Sequence, residues 1–188
     1  MTDTEFRWFD DYFNLYRDAV FNTDIYDNLI MVKDLWMTAH TEGKKVMFCG
    51  NGGSAAIASH CAVDLSKNAG IRAVNFNEAS LITCLANDFG YENWMAKAID
   101  LYADAGDVLV LVSSSGNSKN IVNCALAAKS KGVSLVSFTG FDKSNTLNNI
   151  DGINFWVDSM AYNVVEMTHN IWLLSVIDKI IGKAEYSA

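Results

Sequence analysis

The sequence predicts an α/β fold in which a parallel β-sheet lies between two layers of helices. Short apolar runs bounded by Gly, Ser, Asn or Asp alternate with stretches of helical periodicity along residues 44–188. Strands that alternate with helices need right-handed crossovers, and these crossovers cover both faces of a parallel sheet. Five of the runs are strand-like, so we expect a doubly wound, five-stranded sandwich with a two-helix extension at residues 1–43.

Each element follows from the local pattern of apolar residues. The first helix is expected over residues 4–21, and the second begins at a cap, Thr23 or Asp24, and ends at Gly43. The strands are expected over residues 45–49, 72–76, 107–112, 133–138 and 153–157. The remaining helices are expected over residues 54–66, 79–86, 91–103, 118–131 and 161–181.

The first helix carries more large aromatic residues than a narrow core-facing stripe needs. Phe6, Phe9, Tyr12, Phe13 and Tyr16 recur at spacings of three and four residues. They would suit a well-buried core helix or a surface that packs on another subunit. We favour the second interpretation, which makes residues 1–43 an oligomerisation extension.

Length and composition limit the class of protein. A chain of 188 residues with 51% hydrophobic and 19% charged residues is typical of a single globular domain, residues 1–188. Its net charge of -8 argues against direct binding of nucleic acid. Without a long apolar run or a signal peptide, no membrane association is expected and the location is expected to be cytoplasmic. Four cysteines without CxxC spacing are expected to be reduced and buried.

The loop at residues 50–54 (GNGGS) follows the first predicted strand and begins a helix. Its glycines allow a ligand to approach the backbone closely, and the N–H groups at a helix N-terminus favour an anion. The simpler alternative is a tight strand-to-helix turn.

A second loop, residues 113–118 (SSSGNS), follows the most apolar strand and also precedes a helix. Its four hydroxyls could donate several hydrogen bonds to phosphate oxygens without any Lys or Arg. Capping of the helix and an ST-turn would use only one or two of them. Together the two loops predict a small phosphorylated ligand.

Acid–base candidates lie on two helices. His60 and Asp64 are four residues apart, and Glu166 and His169 are three apart, so each pair shares one helix face. Movement of a proton between adjacent carbons needs a carboxylate or imidazole that titrates near neutral pH. Taken singly, a histidine such as His60 is more often a hydrogen-bonded helix residue than a ligand, and a carboxylate on a helix is usually solvated.

Several motifs in order resemble the phosphoheptose isomerases, which are sugar-isomerase (SIS) domain enzymes. They lie at residues 50–54, 60 and 64, 85–91, 106–109, 113–118 and 139–140. The resemblance implies a five-stranded SIS three-layer sandwich and a homotetramer with active sites between subunits. It also implies a divalent metal, commonly zinc, in some members. The family converts sedoheptulose 7-phosphate into a glycero-manno-heptose 7-phosphate.

The resemblance also implies which residues contact the substrate. The sugar would be contacted by Asn51, Gly52 and Gly53. The phosphate would be held by Ser113, Ser114, Ser115 and Ser118. Asn87 and Asp88 would also line the site.

The catalytic positions depart from the family pattern. The family has Glu where this chain has Asp64, Gln where it has Glu166, and a second His where it has Leu174. Leucine can neither transfer a proton nor bind a metal. His60, Asp64 and Glu166 therefore remain as the candidate catalytic residues and as the candidate ligands of a Zn²⁺ ion.

Two functions follow from these observations. The first is ketose/aldose isomerisation of sedoheptulose 7-phosphate or a related sugar phosphate for heptose, lipopolysaccharide or other surface-glycan synthesis. Glu166 or Asp64 would remove the proton, and His60, alone or with a metal, would stabilise the oxyanion. The alternative is a non-catalytic SIS module that binds a sugar phosphate or a protein partner, as the replication-initiator-associating relative does.

Overall fold

A computed structural model describes residues 3–186 and contains one five-stranded parallel sheet in the order β2-β1-β3-β4-β5. The strands are β1 (Val46–Gly50), β2 (Ala73–Asn75), β3 (Val108–Ser113), β4 (Ser134–Thr139) and β5 (Ile153–Trp156). The helices are α1 (Asp3–Val20), α2 (Tyr26–Thr41), α3 (Gly53–Lys67), α4 (Ala79–Phe89), α5 (Trp94–Tyr102), α6 (Lys119–Ser130) and α7 (Tyr162–Ile181).

Successive strand residues face two separate hydrophobic cores. Val46 and Phe48 of β1 belong to the core beneath α2, α3 and α7, whereas Met47 and Cys49 belong to the core beneath α4, α5 and α6. This alternation follows from the two-residue period of side chains along a strand. It produces three layers, with the buried sheet in the middle.

The strand order places the ends of β1 and β3 side by side. From β1 the chain first crosses to β2 at one edge, and then returns to build β3, β4 and β5 on the other side. The register pairs Gly50 with Val112, so the loops after β1 and β3 leave the sheet together. In open parallel sheets, ligands bind where the strand order reverses in this way.

The predicted fold class and the number of strands are confirmed, with two local differences. Residues 91–93 form a turn rather than the start of a helix, because Gly90 ends α4 with a φ of 83°. The expectation that all four cysteines are buried is wrong for Cys84, which is exposed, although all four are free thiols. On α4 it is the neighbouring Leu85 that packs into the core.

The two N-terminal helices differ in burial. No residue of α1 is buried within the chain, and its side chains Phe6, Trp8 and Phe13 are exposed. By contrast, α2 contributes Val32 and Trp36 to the core. None of the helices within residues 3–186 is long and apolar enough to cross a membrane.

Candidate active site

A cavity of about 150 Å³ lies beyond the carboxyl ends of β1 and β3. It brings together the two predicted loops and the first two turns of α7. Its lining residues are Asn51, Ser54, Val112, Ser113, Ser114, Ser115, Ser118, Tyr162 and Glu166. Both loops therefore contribute to one site, as the register of β1 and β3 requires.

The glycines of the first loop are needed for the close packing around the cavity. Gly52 has a φ of 54°, a conformation that residues with a Cβ rarely adopt. A Cβ on Gly53 would overlap the carboxylate of Glu166. Glu166 thus lies directly against the start of α3, where the first N–H groups of the helix have no partners within the helix.

The second loop presents hydroxyls at the start of α6. Ser113 and Ser114 are buried, and Ser118 is the N-cap residue of the helix. The Ser114 hydroxyl has no hydrogen-bond partner among residues 3–186, although the residue is only 4% exposed. A buried hydroxyl without a partner is unfavourable unless a ligand supplies one. This loop therefore fits a phosphate group.

Glu166 is the carboxylate of the cavity. It lies one turn after Tyr162 on α7, so both side chains reach the cavity from the same helix face. Partial burial raises the pKa of Glu166 above the usual value for a glutamate, because desolvation disfavours the charged form. A carboxylate with a raised pKa is a stronger general base than a fully solvated one.

Asn51 is held by side chains outside the cavity lining. It exchanges two hydrogen bonds with Asn120, a buried residue in the first turn of α6. The Tyr91 hydroxyl donates a further hydrogen bond to Asn51 Oδ1. The Asn51 carboxamide at the cavity is therefore fixed from two directions.

His60 and Asp64 form a pair on α3 but do not line this cavity. The distance between His60 Nε2 and Asp64 Oδ2 is 3.3 Å, and the His60 side chain is half exposed. Asp64 is 11 residues after Gly53, which corresponds to about 16 Å along the helix axis. Asp64 is thus separated from Glu166 along α3, and the predicted catalytic roles of His60 and Asp64 stay predictions.

Asn87 and Asp88 also lie outside the cavity lining. Both are exposed at the end of α4, where the Asn87 amide donates a hydrogen bond to the Asp88 carboxylate. Their predicted contact with substrate stays a prediction.

The part of the chain that the structure describes does not bring the expected zinc ligands together. Within residues 3–186, no three His, Cys, Asp or Glu side chains are grouped so that they could hold a metal ion. Leu174 packs against the core, and His169 is fully buried with its Nε2 at 3.0 Å from the Thr139 carbonyl oxygen. Zinc stays a prediction from the resemblance alone, and no chemical step below depends on it.

Three lining residues, Tyr162, Val112 and Ser54, were not predicted from the sequence, and Tyr162 is the one that the sequence could have indicated. Its signal was its spacing of four residues from Glu166 on a predicted helix. Val112 and Ser54 were placed in a strand and a loop, respectively, but were not assigned to the site. The role of Asn120 depends on a contact between distant segments, which no local pattern shows.

The fold and the cavity together define a class of protein. A doubly wound parallel sheet with a hydroxyl-rich loop at its switch point is typical of α/β proteins that bind small phosphorylated ligands. The family model for the SIS domain matches residues 9–140. The chain belongs to the SIS domain family.

Curated relatives and a solved structure agree with this assignment. A phosphoheptose isomerase of Glaesserella parasuis is 39% identical over 105 residues, which cover 53% of this chain and 55% of the relative. A phosphoheptose isomerase of Histophilus somni is 41% identical over 103 residues, 52% of this chain and 53% of the relative. The matched region thus spans about half the length of these relatives. The structure of a phosphoheptose isomerase from Francisella tularensis superposes on this chain with a TM-score of 0.87 at 24% identity. The superposition covers 97% of this chain and all of the Francisella chain, which confirms the fold.

Proposed function

We propose that the protein is a phosphosugar isomerase that interconverts the ketose and aldose forms of sedoheptulose 7-phosphate or a related sugar phosphate. The observation that carries the proposal is that the Glu166 carboxylate and the loop at residues 113–118, here called the serine loop, line one cavity of about 150 Å³. The names of the curated relatives support the choice of reaction and substrate.

Phosphate binding is the role of the serine loop. Ser114 supplies a buried hydroxyl without a partner among residues 3–186, and Ser113, Ser115 and Ser118 line the same cavity. The N-terminus of α6 adds a partial positive charge at the same place. A chain with a net charge of -8 can therefore still bind an anion here.

Proton transfer is the role of Glu166. With the phosphate held by the serine loop, the carboxylate removes a proton from the carbon next to the carbonyl, which leaves an enediolate with its negative charge on the former carbonyl oxygen. The same group then returns the proton to the adjacent carbon, while a hydroxyl proton moves between the two oxygens. No atom is gained or lost, as isomerisation requires. A positioned base of this kind contributes roughly 10²–10⁴-fold to rate.

The assembly is proposed to be a homotetramer in which one subunit completes the cavity of another. The exposed aromatic face of α1 supports an interface, because so many large rings rarely stay in contact with water. His60 and Asp64 of a neighbouring copy would then reach the substrate that Glu166 contacts. We also propose a cytoplasmic role in heptose supply for lipopolysaccharide or another surface glycan.

The proposal is tested by incubating the protein with sedoheptulose 7-phosphate and measuring the aldose product by ¹³C NMR. We expect the aldose to accumulate until ketose and aldose reach equilibrium. Saturable binding of sedoheptulose 7-phosphate without any aldose would contradict the isomerase activity.

A second candidate is a non-catalytic SIS module that senses a sugar phosphate. One observation favours it: the side chain at position 174 is a leucine packed against the core, so this position supplies no proton donor. Binding without turnover, together with a change in the oligomeric state on binding, would support this candidate over the isomerase.

A further inference from the structure

We propose that Asn120 is a positioning residue that fixes the Asn51 carboxamide with one N–H directed to the ligand. The inference rests on the proposed function only for the identity of the ligand, a sugar phosphate. Asn120 lies in the first turn of α6 and is 3% exposed. The sequence pattern assigns no role to it.

The two carboxamides form a reciprocal pair. Asn51 Nδ2 donates to Asn120 Oδ1 over 3.0 Å, and Asn120 Nδ2 donates to Asn51 Oδ1 over 2.8 Å. The two residues are 69 positions apart in the chain. The pair therefore joins the loop after β1 to the helix after β3.

The backbone favours one orientation of the pair. Asn120 Oδ1 also accepts a hydrogen bond of 3.1 Å from the Ile121 N–H. The Ile121 N–H is shared with the Ser118 carbonyl oxygen, to which it donates over 3.0 Å. Because an N–H can only donate, it favours the orientation in which the oxygen of Asn120 faces it and the nitrogen of Asn120 faces Asn51 Oδ1. The Tyr91 hydroxyl donates to the same Asn51 oxygen over 3.2 Å.

Counting donors and acceptors shows what is left for a ligand. Asn51 Oδ1 accepts two hydrogen bonds, which uses both of its lone pairs. Asn51 Nδ2 has two hydrogens, and only one of them has an acceptor among residues 3–186. Since Asn51 lines the cavity, the second hydrogen is available to an acceptor oxygen of the sugar.

Without Asn120, the Asn51 carboxamide would lose this constraint. It could rotate and present its oxygen to the ligand, or spread over several rotamers. Binding would then have to order the side chain, and this loss of conformational freedom weakens the affinity. The serine loop, which holds the phosphate, does not include either asparagine.

The test compares two probes and three variants. Affinities for inorganic phosphate and for sedoheptulose 7-phosphate are measured by calorimetry for N120A, N51A and the double variant. The matched control is N123A, which removes two hydrogen bonds of the same helix, to the Glu92 carbonyl oxygen and to Asn93 Oδ1, that do not involve Asn51.

We expect N120A to weaken sedoheptulose 7-phosphate binding about tenfold, equivalent to roughly 1.4 kcal/mol. Inorganic phosphate binding should stay within about twofold. N123A should match the unmodified protein with both probes, because its hydrogen bonds do not involve Asn51. The double variant should bind no more weakly than N51A, because Asn120 acts through Asn51.

Equal losses for the two probes in N120A would overturn the inference, because Asn120 would then only support the N-terminus of α6. Additive losses in the double variant would overturn it as well. The side-chain amide signals of Asn51 in ¹⁵N NMR provide a test without ligand. They should be rigid in the unmodified protein and mobile in N120A, and unchanged signals would contradict the inference even if the isomerase proposal fails.

Discussion

Replacement of Ser114 with alanine separates ligand binding from stability at the candidate site. The Ser114 hydroxyl is buried and has no partner among residues 3–186. An unsatisfied buried polar group costs about 1–3 kcal/mol in the folded state. The S114A variant should therefore unfold with an unchanged free energy, or one raised by up to about 1 kcal/mol.

The phosphate affinity of S114A should fall, although its unfolding free energy is expected to stay the same or rise. A hydrogen bond from a hydroxyl to a charged phosphate contributes about 1.5–3 kcal/mol. The affinity of S114A for inorganic phosphate should therefore fall by roughly 10- to 150-fold. The matched control is S137A, since the Ser137 hydroxyl is equally buried but donates to Asn154 Oδ1 over 2.6 Å.

The assay combines urea unfolding with calorimetric titration of inorganic phosphate. S137A should lose about 1–3 kcal/mol of unfolding free energy, because Asn154 Oδ1 is left without its partner, and should retain its phosphate affinity. A loss of stability in S114A, or a phosphate affinity within twofold of that of the unmodified protein, would refute the assignment of this loop.

Three further predictions concern the carboxylate and the buried histidine. Gly53→Ala should displace the Glu166 carboxylate and lower aldose formation by on the order of 10²-fold, with phosphate affinity retained; normal turnover would contradict the geometry. The rate should rise with pH through a pKa above the usual 4.5 of glutamate, because burial raises the pKa of Glu166; a midpoint at or below that value would contradict the role of Glu166. Burial lowers the pKa of His169 from 6.5 to about 4, so between these pH values the unfolded chain binds more protons than the folded one. The free energy of unfolding should therefore fall by at most about 3 kcal/mol as the pH drops through this range. Urea unfolding at several pH values should show a weaker pH dependence in His169→Leu, and parallel curves would contradict this prediction.

Most of the fold could be predicted because its signals are local. The apolar runs of the strands and the glycines and serines after β1 and β3 are adjacent in the chain. The rule that ligands bind at the carboxyl ends of parallel strands then brings the two loops to one place. For this reason the four serines of the loop at residues 113–118 were predicted to belong to one site, and all four line the cavity; their contact with phosphate stays a prediction.

The remaining features depend on contacts between distant segments. The pairing of Asn51 with Asn120 needs the register of β1 and β3, which the sequence pattern does not show. Cys84 was misplaced because α4 buries only the neighbouring Leu85. Asp64 and Glu166 are both carboxylates on predicted helices, so the sequence alone made each a candidate base. Their separation depends on how α3 and α7 pack, which no local pattern shows.

The most direct test of the central claim is solvent deuterium exchange into sedoheptulose 7-phosphate. The protein and the Glu166→Gln variant are incubated with the sugar in heavy water and followed by proton NMR, with Glu42→Gln as the control at the exposed end of α2. We expect deuterium to enter next to the carbonyl with the unmodified protein and with Glu42→Gln, at a rate at least about 10²-fold above that of Glu166→Gln. Equal exchange with Glu166→Gln would show that another group removes the proton and would contradict the account.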